Sequence, residues 1–265
     1  GVIIISTGIL AVLGTRERAS TKAKKPLPIS QALKITLSNQ PFMYLVATVF
    51  FYGIGQYFAV SFGVYLINYI IYDGDKSQFS ILLAQATAAG VVITLGLNLL
   101  VRKLGQTYEK VPMLKLGMLL SLTVPLTALI SFQPNEPMWY FLFHALALPI
   151  GNTIIEVLPL SIVADICDLD QVRSGRRREG AFVGVYNAAF KSGYMFAPAL
   201  AMILLHFSGF DGTRVSQSQE TKDLMEQFLV AGCTVTFLAA FLCSLGIKLS
   251  KSAITDVQTQ LKRDV

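Results

Sequence analysis

The sequence predicts an all-α, polytopic membrane protein, and three observations carry that expectation. Of its 265 residues, 53% are hydrophobic and only 14% are charged, with a mean hydropathy of +0.57. Ordinary soluble domains carry about 25% charged residues. The charge is gathered into short patches between long apolar runs, the pattern of repeated membrane spans and not of one large soluble core. The basic patches, finally, fall on alternate loops.

Taken in order, residues 1–14 are apolar and read as the end of a transmembrane helix of a longer protein. They lack the basic start and the cleavage site of a signal peptide. Residues 15–41 form a connecting loop with Arg16, Arg18, Lys22, Lys24 and Lys25, in which Pro26 and Pro28 break any helix. Pro28–Ser38, with Ile29, Ala32, Leu33, Ile35 and Leu37, reads as a short interfacial helix. Six spans are then predicted within a bundle covering 42–249: Phe42–Tyr72, Phe79–Val101, Pro112–Phe132, Met138–Ala164, Ala181–Phe207 and about Phe228–Ile247. The first exceeds the roughly 20 residues that a crossing requires, so it tilts or protrudes. Asp73-Gly74-Asp75-Lys76 and Pro134-Asn135-Glu136-Pro137 read as turns. Leu169–Gly180 reads as a charged loop, Ser208–Glu226 as a polar one, and 250–265 as a charged tail.

With the first 14 residues ending on one side, that side receives Thr15–Lys34, Arg102–Lys115, Arg173–Arg178 and Lys248–Arg263. The other receives only Lys76, Arg214 and Lys222, among seven acidic residues. The positive-inside rule puts the first side and the C-terminus in the cytoplasm, in a plasma or inner membrane. The net charge of +6 is therefore topological, and no aromatic-basic face suits nucleic acid. Cys167, Cys233 and Cys243 are odd in number and lack metal-ligand spacing, which points to small buried cysteines. A nucleophile elbow, a zinc-binding His-Glu motif and a phosphate-cradling glycine loop are all missing, so no enzyme is expected. Asp165, Asp168 and Asp170 have metal-like spacing, but the arginines that follow favour local ion pairing.

Two ionisable residues interrupt the apolar spans. Glu156 lies about 14 Å before Asp165, and Lys191 about 16 Å after Gly180, at 1.5 Å per residue. In a core about 30 Å thick both reach the midplane, from the same side. A charge at that depth faces a wet cavity or a partner and is by default a transport-site residue. The bland alternative is a buried pair that holds two helices together. Asn187, Lys191, Tyr194 and Pro198 share one stripe, Asn152 stands a turn from Glu156, and Tyr52 a turn from Gln56. Single polar residues in spans are commonly helix-helix contacts, but stripes at a common depth indicate a polar cavity. His144, alone in its span, reads as a packing residue.

At Ala164-Asp165-Ile166-Cys167-Asp168 and Ser174-Gly175-Arg176-Arg177-Arg178-Glu179-Gly180 the sequence resembles the glycoside–pentoside–hexuronide:cation symporter family. This is the melibiose-permease branch of the major facilitator superfamily. Lys191-Ser192-Gly193 matches the family's eleventh-helix lysine motif. The resemblance runs the length of the chain, as hydropathy and loop lengths outside the ten-to-eleven connection. It implies two six-helix bundles around a midplane cavity, working by alternating access. This chain would supply the C-terminal bundle, with an N-terminal bundle of the same protein as its partner.

The resemblance also implies site residues. Lys191 matches a functional lysine near the sugar, and Tyr186 and Asn187 occupy sugar-facing positions one turn before it. A sugar-contacting aromatic of the tenth helix is replaced by Glu156, which leaves room for a different glycoside or a non-sugar solute. Asp165, Asp168, Arg176, Arg177, Arg178 and Glu179 would form a cytoplasmic gate or hinge. No cofactor is expected beyond a coupling Na⁺ or H⁺, whose acidic site belongs to the N-terminal bundle. The sequence thus points to a cation-coupled symporter of a sugar-like polar solute, embedded in the bilayer. A lipid-like cargo or a non-transporting scaffold is the alternative.

Overall fold

The structure, a computed structural model, describes residues 2–14, 29–176 and 178–249, with 254 and 257 beyond them. The basic part of the loop at 15–28, most of the tail at 250–265, and Arg177 lie outside the described residues. Among the described residues the regular elements are all helical. They are α1 (Val2–Gly14), α2 (Ile29–Ser38), α3 (Gln40–Leu66), α4 (Lys76–Thr107), α5 (Lys110–Leu120), α6 (Thr123–Ser131), α7 (Leu148–Ser174), α8 (Glu179–Phe207) and α9 (Gln219–Leu245). A π-helical turn, Ile67–Ile71, extends α3, and a second, Leu142–Ala147, leads into α7.

Among the described residues six stretches are long and apolar enough to cross a membrane: Gln40–Ile71, Ser77–Thr107, Lys110–Ser131, Pro137–Ser174, Glu179–Phe207 and Gln219–Leu245. Their starts follow capping chemistry. The Asn39 side chain accepts from the Phe42 N–H at 3.1 Å ahead of Pro41. Asp75 caps α4 through the Ser77 N–H at 2.9 Å, and Ser218 caps α9 through the Thr221 N–H at 3.2 Å. The third span is broken at Ser121 and Leu122. There the Ser121 and Thr123 hydroxyls donate to the carbonyls of Met118 and Leu120, and Pro125 has no N–H to offer Ser121.

Three predicted boundaries need correction. α7 does not stop near Ala164 but continues to Ser174, so Leu169–Ser174 is helix and the connection shrinks to 175–178. Gly175, at φ 64°, ends it with a left-handed cap that returns its N–H to the Gln171 carbonyl at 2.8 Å. α4 runs on to Thr107 and α9 begins at Gln219, inside stretches read as loop. In each case the charged residues mark where the bilayer ends, while the helix goes on.

α3 is the hub. It packs most extensively on α8 and α9, whereas α4 and α5 lean on α7 and α6 on α9. Between hydrocarbon-solvated helices small residues govern approach. A Cβ on Gly193 would lie 2.6 Å from the Phe50 carbonyl oxygen, and one on Gly53 3.2 Å from that of Phe190. α3 and α8 therefore cross glycine to glycine. Tyr52, Phe58, Phe62 and Phe237 fill the seam with α9. At the opposite end from the α7–α8 connection, Asp73 and Gly74 turn with positive φ, and a Cβ on Gly74 would collide with the Val215 carbonyl oxygen. Lys222 closes this end on Asp73 at 2.6 Å.

Candidate functional site

Glu156 stands at the midpoint of Pro137–Ser174, and Lys191 two residues before the midpoint of Glu179–Phe207. Both side chains are exposed, and among the described residues no ion pair joins them. The buried-pair alternative does not hold, because α7 and α8 share only a short contact. The two charges instead look out of the bundle, where a bare charge is tolerated only against water or a polar partner.

Their surroundings are polar and aromatic. The Asn152 amide donates to Glu156 Oε1 at 2.8 Å. The Tyr52 hydroxyl donates to Gln56 Oε1 at 3.1 Å. On α8, Asn187 and Tyr194 are half-buried beside the exposed Lys191. Tyr57 of α3 lies against Tyr194 with ring centroids 3.6 Å apart, and Phe190 follows at 4.5 Å. Glu156 on α7 and Lys191 on α8 thus stand at one depth, a station of the spans that also carries amides and the aromatic faces of α3 and α8.

Two expected lining residues are placed differently. Tyr52 is only 1% exposed, and a Cβ on Gly151 would lie 2.8 Å from its hydroxyl oxygen. It sits in the α3–α7 seam and holds Gln56 instead of facing a cavity. Tyr186 is likewise buried, stacked at 6.1 Å over Phe190. His144 is more than a packing residue. Its Nδ1 pairs with the Tyr140 hydroxyl at 2.7 Å and its Nε2 with Thr87 Oγ1 at 3.2 Å. Tyr140, one turn earlier on the same face, was the signal available in the sequence.

The charged end of α7 also rearranges. Asp165 is buried, and its partner is not a local arginine but Lys110 of α5, whose Nζ donates to Oδ2 at 2.6 Å. Asp170 does pair locally, accepting from Arg178 Nε at 2.9 Å and from Nη2 in a two-pronged clamp across the connection. Arg176 and Glu179 are exposed and Asp168 is half-buried. No three of His, Cys, Asp and Glu gather into a metal site among the described residues. Cys167 and Cys233 are buried and Cys243 half-buried, none in a disulfide.

Residues 1–251 match the family model described as MFS/sugar transport protein. The chain belongs to that family. It is an integral membrane protein of a transport family and not an enzyme, in line with the resemblance at the α7–α8 connection. An uncharacterized symporter of Synechocystis sp. is 24% identical over 243 residues, 89% of this chain and 43% of that protein. The isoprimeverose transporter of Lactiplantibacillus pentosus is 23% identical over 220 residues, 82% of this chain and 44% of that protein. The chain spans less than half the length of these two relatives, and its six crossing helices are the part of the family fold in view.

Proposed function

We propose that the chain is the C-terminal six-helix bundle of a cation-coupled secondary transporter that carries a sugar or glycoside-like solute by alternating access. The observation that carries this reading is the pair of exposed, unpaired charges at mid-span, Glu156 and Lys191. Charges at that depth are costly unless they face a wet cavity. Lys191 would donate to solute hydroxyls and Glu156 would accept from them, with Asn152 fixing the carboxylate. Gln56 and Asn187 complete the polar set, and Tyr57 and Tyr194 offer aromatic faces. Tyr52 and Tyr186 act behind these residues, holding Gln56 and packing α8.

The cation, Na⁺ or H⁺, would bind in an N-terminal bundle outside this chain. That bundle, facing α7 and α8, is also the partner that closes the cavity. The C-terminus lies in the cytoplasm of a plasma or inner membrane under the positive-inside rule. Residues 1–14 end the preceding helix, 15–41 link the halves, 42–249 form the bundle and 250–265 the tail. The Asp170–Arg178 clamp and the Lys110–Asp165 pair, with Asp168, Arg176, Arg177 and Glu179, form the cytoplasmic hinge.

The relative named as an isoprimeverose transporter suggests isoprimeverose as the first solute to try. The full-length protein in proteoliposomes should accumulate a glycoside when an inward Na⁺ or H⁺ gradient is imposed. Equal uptake with and without either gradient would remove the coupling, and no uptake across a panel of mono- and disaccharides would remove the sugar.

A further inference from the structure

A second space adjoins the Glu156 station. α4 packs on α7 and on the Leu142–Ala147 π turn but scarcely touches α3. A cavity of about 180 Å³ opens between α3 and α4, floored by α7. Its polar lining is Gln56, Thr87, Thr94, His144 and Asn152, with no carboxylate, ammonium or guanidinium among them. Gln56 lies near the middle of Gln40–Ile71, and Thr94 near that of Ser77–Thr107, so the cavity shares the midplane with Glu156.

Gln56 and Asn152 are held in place with hydrogen-bonding capacity left over. Gln56 Oε1 is occupied by the Tyr52 hydroxyl, and its NH₂ has no partner among the described residues. Asn152 spends its amide on Glu156, which leaves its carbonyl to accept. His144 is fixed from both sides by Tyr140 and Thr87, on a π turn of the kind that recurs at functional sites. Val60, Val91 and Leu148 supply apolar wall. Uncharged donors and acceptors beside apolar wall suit a neutral ring bearing hydroxyls on its rim and C–H groups on its face. At about 180 Å³ the cavity is sized for one ring and not for two.

We propose that this cavity is a subsite for one neutral, polyhydroxylated ring of the solute, adjoining the Glu156–Lys191 station. A two-ring glycoside then engages both places, and Thr87, positioned by His144, sets the preference for it over a monosaccharide. The proposal rests on the sugar-like solute proposed above.

The test uses the full-length protein in proteoliposomes, with uptake of a disaccharide and of its constituent monosaccharide measured side by side. In Thr87→Val and His144→Gln the ratio of kcat/KM for disaccharide over monosaccharide should fall about tenfold, the size of one lost hydrogen bond. Lys191→Ala should lower both solutes and preserve the ratio. A ratio unchanged within about twofold in Thr87→Val overturns the subsite, while a persisting Lys191→Ala defect leaves the parent reading standing. Failure to transport any glycoside, or an inert Lys191→Ala, brings down the parent reading and the subsite with it. Should His144→Gln fail to accumulate in the membrane, the near-isosteric Thr87→Val decides alone.

Discussion

Glu156 is anchored by the 2.8 Å hydrogen bond from Asn152. Replacing Asn152 by Ala leaves the carboxylate free to swing, and KM for the solute should rise about three- to tenfold, the range of one net hydrogen bond. Initial-rate uptake across solute concentrations checks this. Asp75 gives a pH-dependent prediction outside the spans. The Ser77 hydroxyl at 2.6 Å, then the Ser77 N–H at 2.9 Å, hold its carboxyl below the ordinary carboxylate range. A lowered folded-state value stabilises above the unfolded value near 3.9 and loses that contribution as pH falls through the folded value. Asp75→Ala should therefore melt lower than the parent at neutral pH, and the gap should close in acid, as thermal unfolding in detergent would record. Counting residues along each helix sufficed to find Glu156 and Lys191, because depth in a span is arithmetic. The burial of Tyr52 and the Lys110–Asp165 partnership were out of reach, since both depend on which helices touch across tens of residues.

Among elements, the α3–α8 crossing is the most sensitive. A Cβ on Gly193 meets backbone on three sides, the Phe50 oxygen at 2.6 Å, the Ile54 nitrogen at 3.1 Å and the Gly53 carbonyl carbon at 3.3 Å. None of these atoms can rotate away. Gly193→Ala should destabilise the bundle by about 1–3 kcal/mol through overpacking, seen as a lower melting point and poorer yield. The α5–α7 contact depends on charge. Lys110→Ala strands the buried Asp165 carboxylate; Lys110 is 34% exposed, so the cost should fall below the 3–5 kcal/mol of a fully buried pair. The double variant Lys110→Leu/Asp165→Leu should recover most of it in the same melting assay. Span existence and order were legible because long apolar runs between charged patches admit little else. Helix ends were not: α7 carries Asp165, Asp168 and Asp170 as helical residues, two of them answered by Lys110 and Arg178.

At the scale of the molecule, the proposed orientation of the six crossing helices is one that chemistry can test. In a cysteine-free background, Gln106→Cys should react with a membrane-impermeant maleimide only from the cytoplasmic side, and Ser216→Cys only from outside; both positions are exposed. The reverse pattern would invert the topology and move the Asp170–Arg178 clamp to the outer face. The family was legible from the α7–α8 connection, while the cavity beside His144 was not, since it exists only because α4 stands off from α3. The proposed transport turns on the two mid-span charges. Uptake by full-length Lys191→Ala and Glu156→Gln, each reconstituted at matched density, tests it most directly: both should fall at least tenfold below the parent, and parental rates in both would contradict it.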